Sequence, residues 1–251
     1  DGSTLLSHLE NVDIGGDRNL IDFRFPVQMV NRPRSDFRGY CGTVASGVVR
    51  VGDEIMVRSS GHRTRVRAIV GYDGARDEVF AGQATTLCCE DELDIGRGDM
   101  LCAPNNMPRR TRTAEAMLVW MSDKPLRVAT PYLVKHSTRQ TRAVFSHLRY
   151  RVDPDTLHRQ EAAALGLNEI GRVALESFHP LEWDPYDQNR ITGAFIVMDP
   201  DDHATLGAGM LMERLVQSDA PPQPVAGNVR REHSLVSTVE RAALAGQRPV
   251  T

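Results

Sequence analysis

From Phe25 onward the sequence consists of short segments rich in β-branched and aromatic residues, and turn-forming residues separate them at intervals of about ten residues. Segments of this kind in the first half of the chain predict strands at 41–49, 53–57, 63–70 and 83–89. In the third of them, Arg63, Arg65 and Arg67 alternate with smaller residues, which predicts one solvated face and one packed face. Many short strands with regular turns are typical of a β-barrel or a β-sandwich.

The segment 103–108 interrupts this pattern, because Pro104 and Pro108 lack the backbone donor of a strand and Asn105 and Asn106 favour turns. A second β-rich region follows, with strands predicted at 115–120, 132–136, 141–151, 171–178 and 191–198. The sequence therefore predicts an all-β protein of two tandem antiparallel barrels with short terminal helices. We expect the first barrel at 20–106 and the second at 107–217.

Both ends of the chain depart from the strand pattern. Apolar residues recur at helical spacing from Leu5 to Val12 behind the possible caps Ser3 and Thr4, which predicts a lead-in helix and linker at 1–19. The proline-dense segment 219–224 and the helical pattern after it predict, at 218–251, a linker and helix that lead to a further domain. Since the chain begins with Asp1 and ends within a β-branched run, we interpret it as a fragment of a longer polypeptide.

The composition of the 251 residues, 41% hydrophobic and 25% charged, is that of a folded chain with enough apolar side chains for two ordinary cores. We expect a cytoplasmic protein without membrane contact, because no apolar run is long enough for a membrane helix and no signal peptide pattern is present. The four cysteines, Cys41, Cys88, Cys89 and Cys102, lack metal-ligand spacing and are expected to be reduced and buried.

The sequence contains no motif that would carry out chemistry. No Gly-Lys pair occurs, which excludes a Walker-type phosphate loop in this segment. The segment 207–209 lacks the third glycine of a dinucleotide fingerprint and is predicted to be a turn at a strand edge. The acidic residues Asp199, Asp201 and Asp202 lack the later positions of a calcium loop and are predicted to form a hairpin tip. We therefore predict no catalytic, cofactor-binding or metal-ligating residue here.

Two groups of arginines could contact a phosphate backbone. The first is the alternating set in the strand at 63–70, and the second is Arg109, Arg110 and Arg112 at the expected link between the barrels. No aromatic residues are interleaved with them, so solvated barrel surface is the favoured interpretation and nucleic-acid binding is not expected. The net charge of -3 also gives no overall attraction to nucleic acid.

Two longer stretches resemble one protein family. The first contains Asn31-Arg32-Pro33 and Asp36-Phe37-Arg38-Gly39-Tyr40, followed by the glycine turns at 46–48 and 51–53. The second comprises 168–173, 184–196 and 205–210. The first stretch is similar to the second domain of the GTPase subunit of bacterial sulfate adenylyltransferase, and the second to the third domain of that subunit. Both domains resemble the barrels of elongation factor Tu.

The resemblance implies that this segment takes part in an enzyme reaction but contains no catalytic residues. In the family, a small catalytic subunit joins sulfate to ATP, and the GTPase subunit couples GTP hydrolysis to that reaction. GTP and Mg²⁺ would then be bound in a GTP-binding domain that precedes this segment. The segment 231–251 resembles the lead-in to a fused adenylylsulfate kinase, so a fused kinase domain is a further expected partner.

An interface with the catalytic subunit or with the switch region of the GTP-binding domain is expected on the loop and strand at 31–40. This segment is dense in polar and aromatic side chains: Asn31, Arg32, Asp36, Phe37, Arg38 and Tyr40. A purely structural turn is the alternative. Around Asn189, Arg190 and Thr192 the polar side chains are expected to tie a hairpin to its neighbour. Two other functions remain open at this stage, an RNA-binding barrel pair of a translation-factor-like GTPase and a tethering unit within a fused enzyme.

Overall fold

The computed structural model describes residues 4–11, 19–34 and 37–213, and the first barrel lies in the amino-terminal half of that part. The strands of this half are β1 (Arg24–Arg34), β2 (Phe37–Thr43), β3 (Val48–Arg50), β4 (Glu54–Val57), β5 (Arg63–Gly71), β6 (Gly74–Arg76), β7 (Glu78–Phe80), β8 (Ala84–Cys89) and β9 (Met100–Cys102). Six of them form a closed antiparallel circle in the order β4, β9, β1, β2, β8 and β5, and β5 pairs back to β4. Strand β6 pairs with β5 outside this circle, while β3 and β7 form a separate two-stranded ribbon.

The strands of the second barrel are β10 (Arg109–Trp120), β11 (Pro131–His136), β12 (Arg139–Val152), β13 (Arg159–Gln160), β14 (Ile170–Trp183), β15 (Ala194–Met198) and β16 (Thr205–Met212). Six of them also form a closed antiparallel circle, in the order β11, β15, β16, β10, β14 and β12, with β12 pairing back to β11. The predicted all-β class with two tandem antiparallel barrels is therefore confirmed.

Each barrel encloses its own hydrophobic core, because inward-facing side chains alternate with solvated ones along the strands. In the first barrel the core includes Phe25, Ile69 and Leu101, all fully buried. The second core is built around Trp120, whose ring meets that of Tyr132 edge-on at a centroid distance of 5.7 Å. The alternation predicted for β5 is confirmed, since its arginines are exposed whereas Thr64 and Val66 are buried.

The lead-in helix is confirmed as α1 (Leu5–Asn11), and the Thr4 Oγ1 atom accepts a hydrogen bond from the Ser7 backbone at 3.2 Å, as expected of a cap. Val12 and the carboxyl-terminal helix predicted within 218–251 lie outside the described residues. No helix in the described part of the chain has the length and apolar character needed to cross a membrane.

One predicted strand and one predicted turn were wrong, and glycine explains both errors. The strand predicted at 41–49 is broken after Thr43, because Gly47 has a φ of 77° and its backbone approaches Phe23 so closely that a Cβ would lie 2.4 Å from the Phe23 Cα. The turn predicted at 207–209 is instead part of β16. A Cβ on Gly209 would lie 2.1 Å from the Phe195 ring, so glycine is needed there for close packing within the sheet.

The three arginines expected at the link between the barrels also lie in a strand. Strand β10 begins at Arg109, so Arg110 and Arg112 belong to the second barrel itself. The segment 103–108 does interrupt the strands, as predicted from its prolines and asparagines. Hairpin geometry is likewise confirmed at Asp199, whose backbone amide donates to the Ala204 carbonyl at 2.9 Å between β15 and β16.

The four cysteines are free thiols, and all except Cys41 are buried. Burial raises the pKa of Cys89 to about 12 and that of Cys102 to about 11. At neutral pH these groups are therefore protonated and behave as small apolar side chains.

Candidate functional site

The two barrels are joined by a buried ion pair between Arg24, at the start of β1, and Asp184, directly after β14. The Arg24 Nε and Nη2 atoms donate to the two carboxylate oxygens of Asp184, each at 2.9 Å. Both side chains are less than a tenth exposed. Parallel hydrogen bonds of this kind fix the orientation of both planar groups, so the pair sets an angle as well as a distance.

All five N–H groups of the Arg24 guanidinium have an acceptor. Besides the two bonds to Asp184, Nη1 donates to the carbonyls of Phe23 at 2.9 Å and Asn106 at 2.8 Å, and Nη2 donates to Asn106 Oδ1 at 3.2 Å. A buried charge is tolerated when its hydrogen-bonding capacity is filled in this way. Arg24 therefore holds three parts of the chain together: the first barrel, the segment between the barrels and the second barrel.

A second buried contact between the barrels joins Ser46 and Asn189. The Asn189 Nδ2 atom donates to Ser46 Oγ at 2.8 Å, and the Asn189 Oδ1 atom accepts from the backbone of Thr192 at 3.2 Å. Thr192 Oγ1 in turn donates to Asp184 Oδ2 at 2.8 Å. The side chains of Asn189 and Thr192 do form structural ties, as predicted, and one of the ties reaches the other barrel. The segment that carries them is not a hairpin, however, because it connects β14 to β15 and these strands do not pair with each other. We refer to Arg24, Ser46, Asn106, Asp184 and Asn189 as the seam.

Asp22 extends the seam toward solvent. Its carboxylate accepts hydrogen bonds from the side-chain amides of Asn19 and Asn106. Burial opposes its charge, but the two amides and the nearby Arg24 guanidinium lower the pKa of Asp22 overall. Asn19 also donates to the Gln188 carbonyl of the second barrel at 3.2 Å.

Behind the seam, His136 of β11 is buried and its Nε2 atom donates to the Thr192 carbonyl at 2.7 Å. Burial lowers the pKa of His136, and the hydrogen bond to Thr192 and the Asp184 carboxylate only partly oppose this effect. The imidazole is therefore neutral at physiological pH and supports the segment that carries Thr192.

The barrels also meet at Arg139, the first residue of β12. Its Nε atom donates to the Gly98 carbonyl of the first barrel at 3.2 Å, and its Nη2 atom lies 3.6 Å from Asp99 Oδ1. Nearby, burial raises the pKa of Glu182, against the opposing charges of Arg139 and Arg110. Two separate regions of contact, the seam and Arg139, restrict rotation of one barrel against the other.

The residues expected to form a partner interface lie on the hairpin of β1 and β2. Asn31 pairs with Gly39 in the antiparallel register, and both Asn31 and Arg32 are exposed. Phe37 and Arg38 are half-buried. Asp36 lies outside the described residues. The hairpin thus presents at least the side chains of Asn31 and Arg32 to solvent.

Tyr40 has a different position from the other predicted interface residues. It is 1% exposed, belongs to the first core, and donates its hydroxyl to the Leu93 carbonyl at 3.0 Å. Burial raises the pKa of this phenol. The Arg38 guanidinium lies over the Tyr40 ring, 5.8 Å from its centroid. Tyr40 therefore anchors the base of the hairpin and positions Arg38.

Sequence reasoning did not identify the pair of Arg24 and Asp184 at the seam. Arg24 lies between Phe23 and Phe25, and a charged residue between two core aromatics is the signal that could have pointed to a buried partner. Asp184 begins one of the stretches that carry the family resemblance, but nothing in its local sequence indicates a buried partner. Their pairing joins residues 160 positions apart, which no local pattern reveals.

Comparison with known proteins places this geometry in context. Residues 113–212 match the family model described as GTP-eEF1A C-terminal domain-like. A bifunctional enzyme CysN/CysC of Rhodopirellula baltica is 48% identical over the whole chain, which covers 39% of that relative. A sulfate adenylyltransferase subunit 1 of Alteromonas mediterranea is 45% identical over 86% of the chain and is covered to 46% of its length. The chain thus spans less than half of these curated relatives.

Solved structures share the fold at low sequence identity. The chain superposes on sup35 complexed with GDP with a TM-score of 0.71 at 16% identity, covering 85% of this chain and 52% of that one. The elongation factor SelB from Methanococcus maripaludis matches with a TM-score of 0.65 at 19% identity, covering 83% of this chain and 45% of that one. These likenesses concern the fold alone.

Proposed function

From the premise that this chain belongs to the family of sulfate adenylyltransferase subunit 1 and the bifunctional CysN/CysC enzymes, we propose that it is the coupling body of such an enzyme. A GTP-binding domain elsewhere in the full-length protein, with GTP and Mg²⁺, acts through the two barrels on a small catalytic subunit. That subunit joins sulfate to ATP and releases adenylylsulfate and pyrophosphate. The residues of this chain make and break no bonds.

The buried seam is the observation that carries this proposal. A nucleotide-dependent switch transmits free energy only if its two states contact a partner differently, and this requires a body that does not absorb the motion. The bidentate pair of Arg24 and Asp184 and the bond from Asn189 to Ser46 connect the barrels through side chains that are almost fully buried. Two closed barrels joined in this way supply the necessary stiffness.

The hairpin of β1 and β2 is the proposed docking element for the catalytic subunit. Its exposed residues Asn31 and Arg32 offer hydrogen-bond donors, and Arg38 is held in place over the ring of Tyr40. Phe37 and Asp36 complete the proposed interface. Barrel closure fixes the position of the hairpin base, so a partner would meet a largely preformed surface.

A fused adenylylsulfate kinase is a further proposed partner. Bifunctional CysN/CysC relatives from Rhodopirellula baltica and Mycobacterium tuberculosis match 100% and 96% of this chain respectively, including the segment after the second barrel. This agreement supports a parent protein of the bifunctional type.

The coupling role can be tested in the full-length protein assembled with its catalytic subunit. Ser46→Ala removes the acceptor of Asn189 at the seam and also the donor to the Asp22 carbonyl. We expect this variant to leave GTP hydrolysis nearly unchanged and to lower the adenylylsulfate formed per GTP hydrolysed by about threefold to tenfold, for a loss of roughly 1 kcal/mol in coupling free energy. The measurement is parallel quantification of GDP and adenylylsulfate.

Thr64→Val is the matched control, because it removes a buried hydroxyl that bonds Asp91 within the first barrel alone, at 2.8 Å. This variant should keep the wild-type ratio of the two products. If Ser46→Ala and the wild type form the same amount of adenylylsulfate per GTP hydrolysed, the seam does not take part in coupling. A wild-type assembly whose adenylylsulfate yield does not respond to GTP would refute the proposed function itself.

A further inference from the structure

A basic cleft lies where the two barrels meet on the side of Arg139. Its volume is about 650 Å³, and five of the side chains that line it are basic: Arg97, Lys135, Arg139, His179 and His203. The hydroxyl of Thr138 and the amide of Gln140 complete its polar lining. No carboxylate is among the lining residues. We call this the basic cleft.

The fold brings the basic residues together from distant parts of the sequence. Arg97 comes from the first barrel, in the loop between β8 and β9, while Lys135 and Arg139 flank the turn between β11 and β12. His179 lies in β14, and His203 lies in the turn between β15 and β16. Two hairpins and strand β14 of the second barrel thus converge with one loop of the first barrel on one space.

The basic side chains of the cleft differ in how many contacts they make with the rest of the described structure. Arg139 is engaged, since it donates to the carbonyls of Gly98 and Pro180 and lies near Asp99. By contrast, among the described residues Arg97 donates only to the Gln28 carbonyl, at 3.0 Å, and Lys135 forms no ion pair. Two cations that have no carboxylate partner in that part of the chain therefore share one concave site, in a chain whose net charge is -3.

We propose that the basic cleft binds a small polyphosphate anion. A guanidinium binds phosphoryl oxygens in a bidentate manner, and an ammonium acts as a compact charge beside it. Imidazole N–H groups and the Thr138 hydroxyl add donors in the same space. A volume of about 650 Å³ falls in the range typical of sites for nucleotide-sized ligands.

Binding at this place would also join the barrels. Arg97 belongs to the first barrel and Lys135 to the second, so an anion held by both neutralises their mutual repulsion and adds a bridge beside Arg139. The ligand should therefore stabilise the folded chain, and this stabilisation should increase with the logarithm of the ligand concentration once that concentration exceeds the dissociation constant. This inference concerns direct binding and is independent of the proposed coupling role.

Calorimetric titration of the 251-residue chain with inorganic tripolyphosphate, at low ionic strength and without divalent cations, tests the proposal. We expect saturable binding with one site, which weakens as salt is added. In the double variant Arg97→Gln with Lys135→Gln, the dissociation constant should rise by about tenfold or more, because two charge-assisted contacts are lost.

The matched control is Arg65→Gln with Lys124→Gln. It also removes two positive charges, Arg65 likewise donates to a single backbone carbonyl, that of Gly52, and both residues lie outside the basic cleft. Its dissociation constant should stay within about twofold of the wild type, since only screened long-range attraction changes. Thermal midpoints of both variants show whether each is folded.

Further ligands distinguish the sources of the anion. Equal affinities for tripolyphosphate and ATP would support a site for the polyphosphate chain alone, whereas tighter binding of ATP would support a site that also contacts the nucleoside. Absence of saturable binding to either, or equal weakening in the two double variants, would overturn the proposal. It would also be overturned if short single-stranded RNA bound through Arg97 and Lys135 while tripolyphosphate did not.

Discussion

Arg24 and His136 illustrate how individual residues resolve the conflict between burial and polarity. A buried guanidinium is destabilising unless its donors are filled, and all five donors of Arg24 are bonded. His136 meets the same requirement differently, because it is neutral and its single ring proton bonds the Thr192 carbonyl. Arg24 is therefore charged in the interior, whereas His136 is neutral there.

His136 makes the stability of the folded chain dependent on pH. Its pKa is lowered on folding from an unfolded value of 6.5, so below that value the unfolded chain binds a proton that the folded chain does not. Stability from this group is therefore complete above pH 6.5 and is lost as the pH falls, with a slope of at most about 1.4 kcal/mol per pH unit. Denaturant unfolding across this range measures the slope.

The variant His136→Gln identifies the source of that pH dependence. Glutamine keeps an N–H donor for the Thr192 carbonyl but does not titrate, so the slope should be smaller than in the wild type. His62→Gln, at an exposed position, should leave the slope unchanged. If His136→Gln has the wild-type slope, the imidazole is not the group responsible.

At the level of secondary structure elements, the local sequence indicates where strands form. The residues at which a strand begins and ends depend in addition on contacts with the neighbouring strands. The alternation of arginines with smaller residues in β5 is visible in the sequence and present in the sheet. Strand β16 was missed because its two glycines indicate a turn when considered alone. Only contact with Phe195, on the neighbouring strand β15, explains why glycine is required at Gly209.

The hairpin of β1 and β2 provides a prediction at this level. Replacing Asn31 and Arg32 with alanine should weaken the association of the full-length protein with its catalytic subunit by about tenfold, as expected when a moderate interface contact is removed. Both residues are exposed, so the thermal midpoint should hardly change. Titration calorimetry of the two subunits measures the affinity.

Tyr72→Ala serves as the control for the hairpin variant. Tyr72 is fully exposed and lies in the turn between β5 and β6, so it offers an aromatic truncation on a different hairpin of the same barrel. Its affinity for the catalytic subunit should equal that of the wild type. If both variants bind equally well, the docking surface lies elsewhere.

At the level of the whole molecule, the seam predicts that the barrels unfold together. Arg24→Met leaves Asp184 buried without its partner, which should cost about 3–5 kcal/mol and separate one calorimetric transition into two. Arg24→Met combined with Asp184→Leu removes both charges and should recover much of the stability. The ratio of calorimetric to van't Hoff enthalpy distinguishes one transition from two.

A wild-type chain that already shows two separate transitions would contradict this expectation, because the barrels would then be independent. As a control, Arg50→Met breaks an exposed ion pair with Glu78 on the two-stranded ribbon, and screening by water makes such a pair weak. It should leave the single transition in place.

Local patterns in the sequence determined the class of this fold. Alternating residues in β5, the prolines and asparagines at 103–108, and the capped apolar run of α1 each depend on interactions within a few residues. Because the residues that produce such short-range effects are close together in the sequence, two barrels and a break between them could be predicted. The resemblance at 31–40 and 184–196 likewise needs only the order of residues.

Only the tertiary structure decided how the barrels are joined and where positive charge gathers. Arg24 meets Asp184 across 160 positions, and Arg97 reaches a cleft shared with Lys135 and His203. These pairings depend on barrel closure and on the angle between two barrels, quantities to which many residues contribute at once. The strength of a buried contact also depends on the removal of water around it, and no single stretch of sequence specifies that removal.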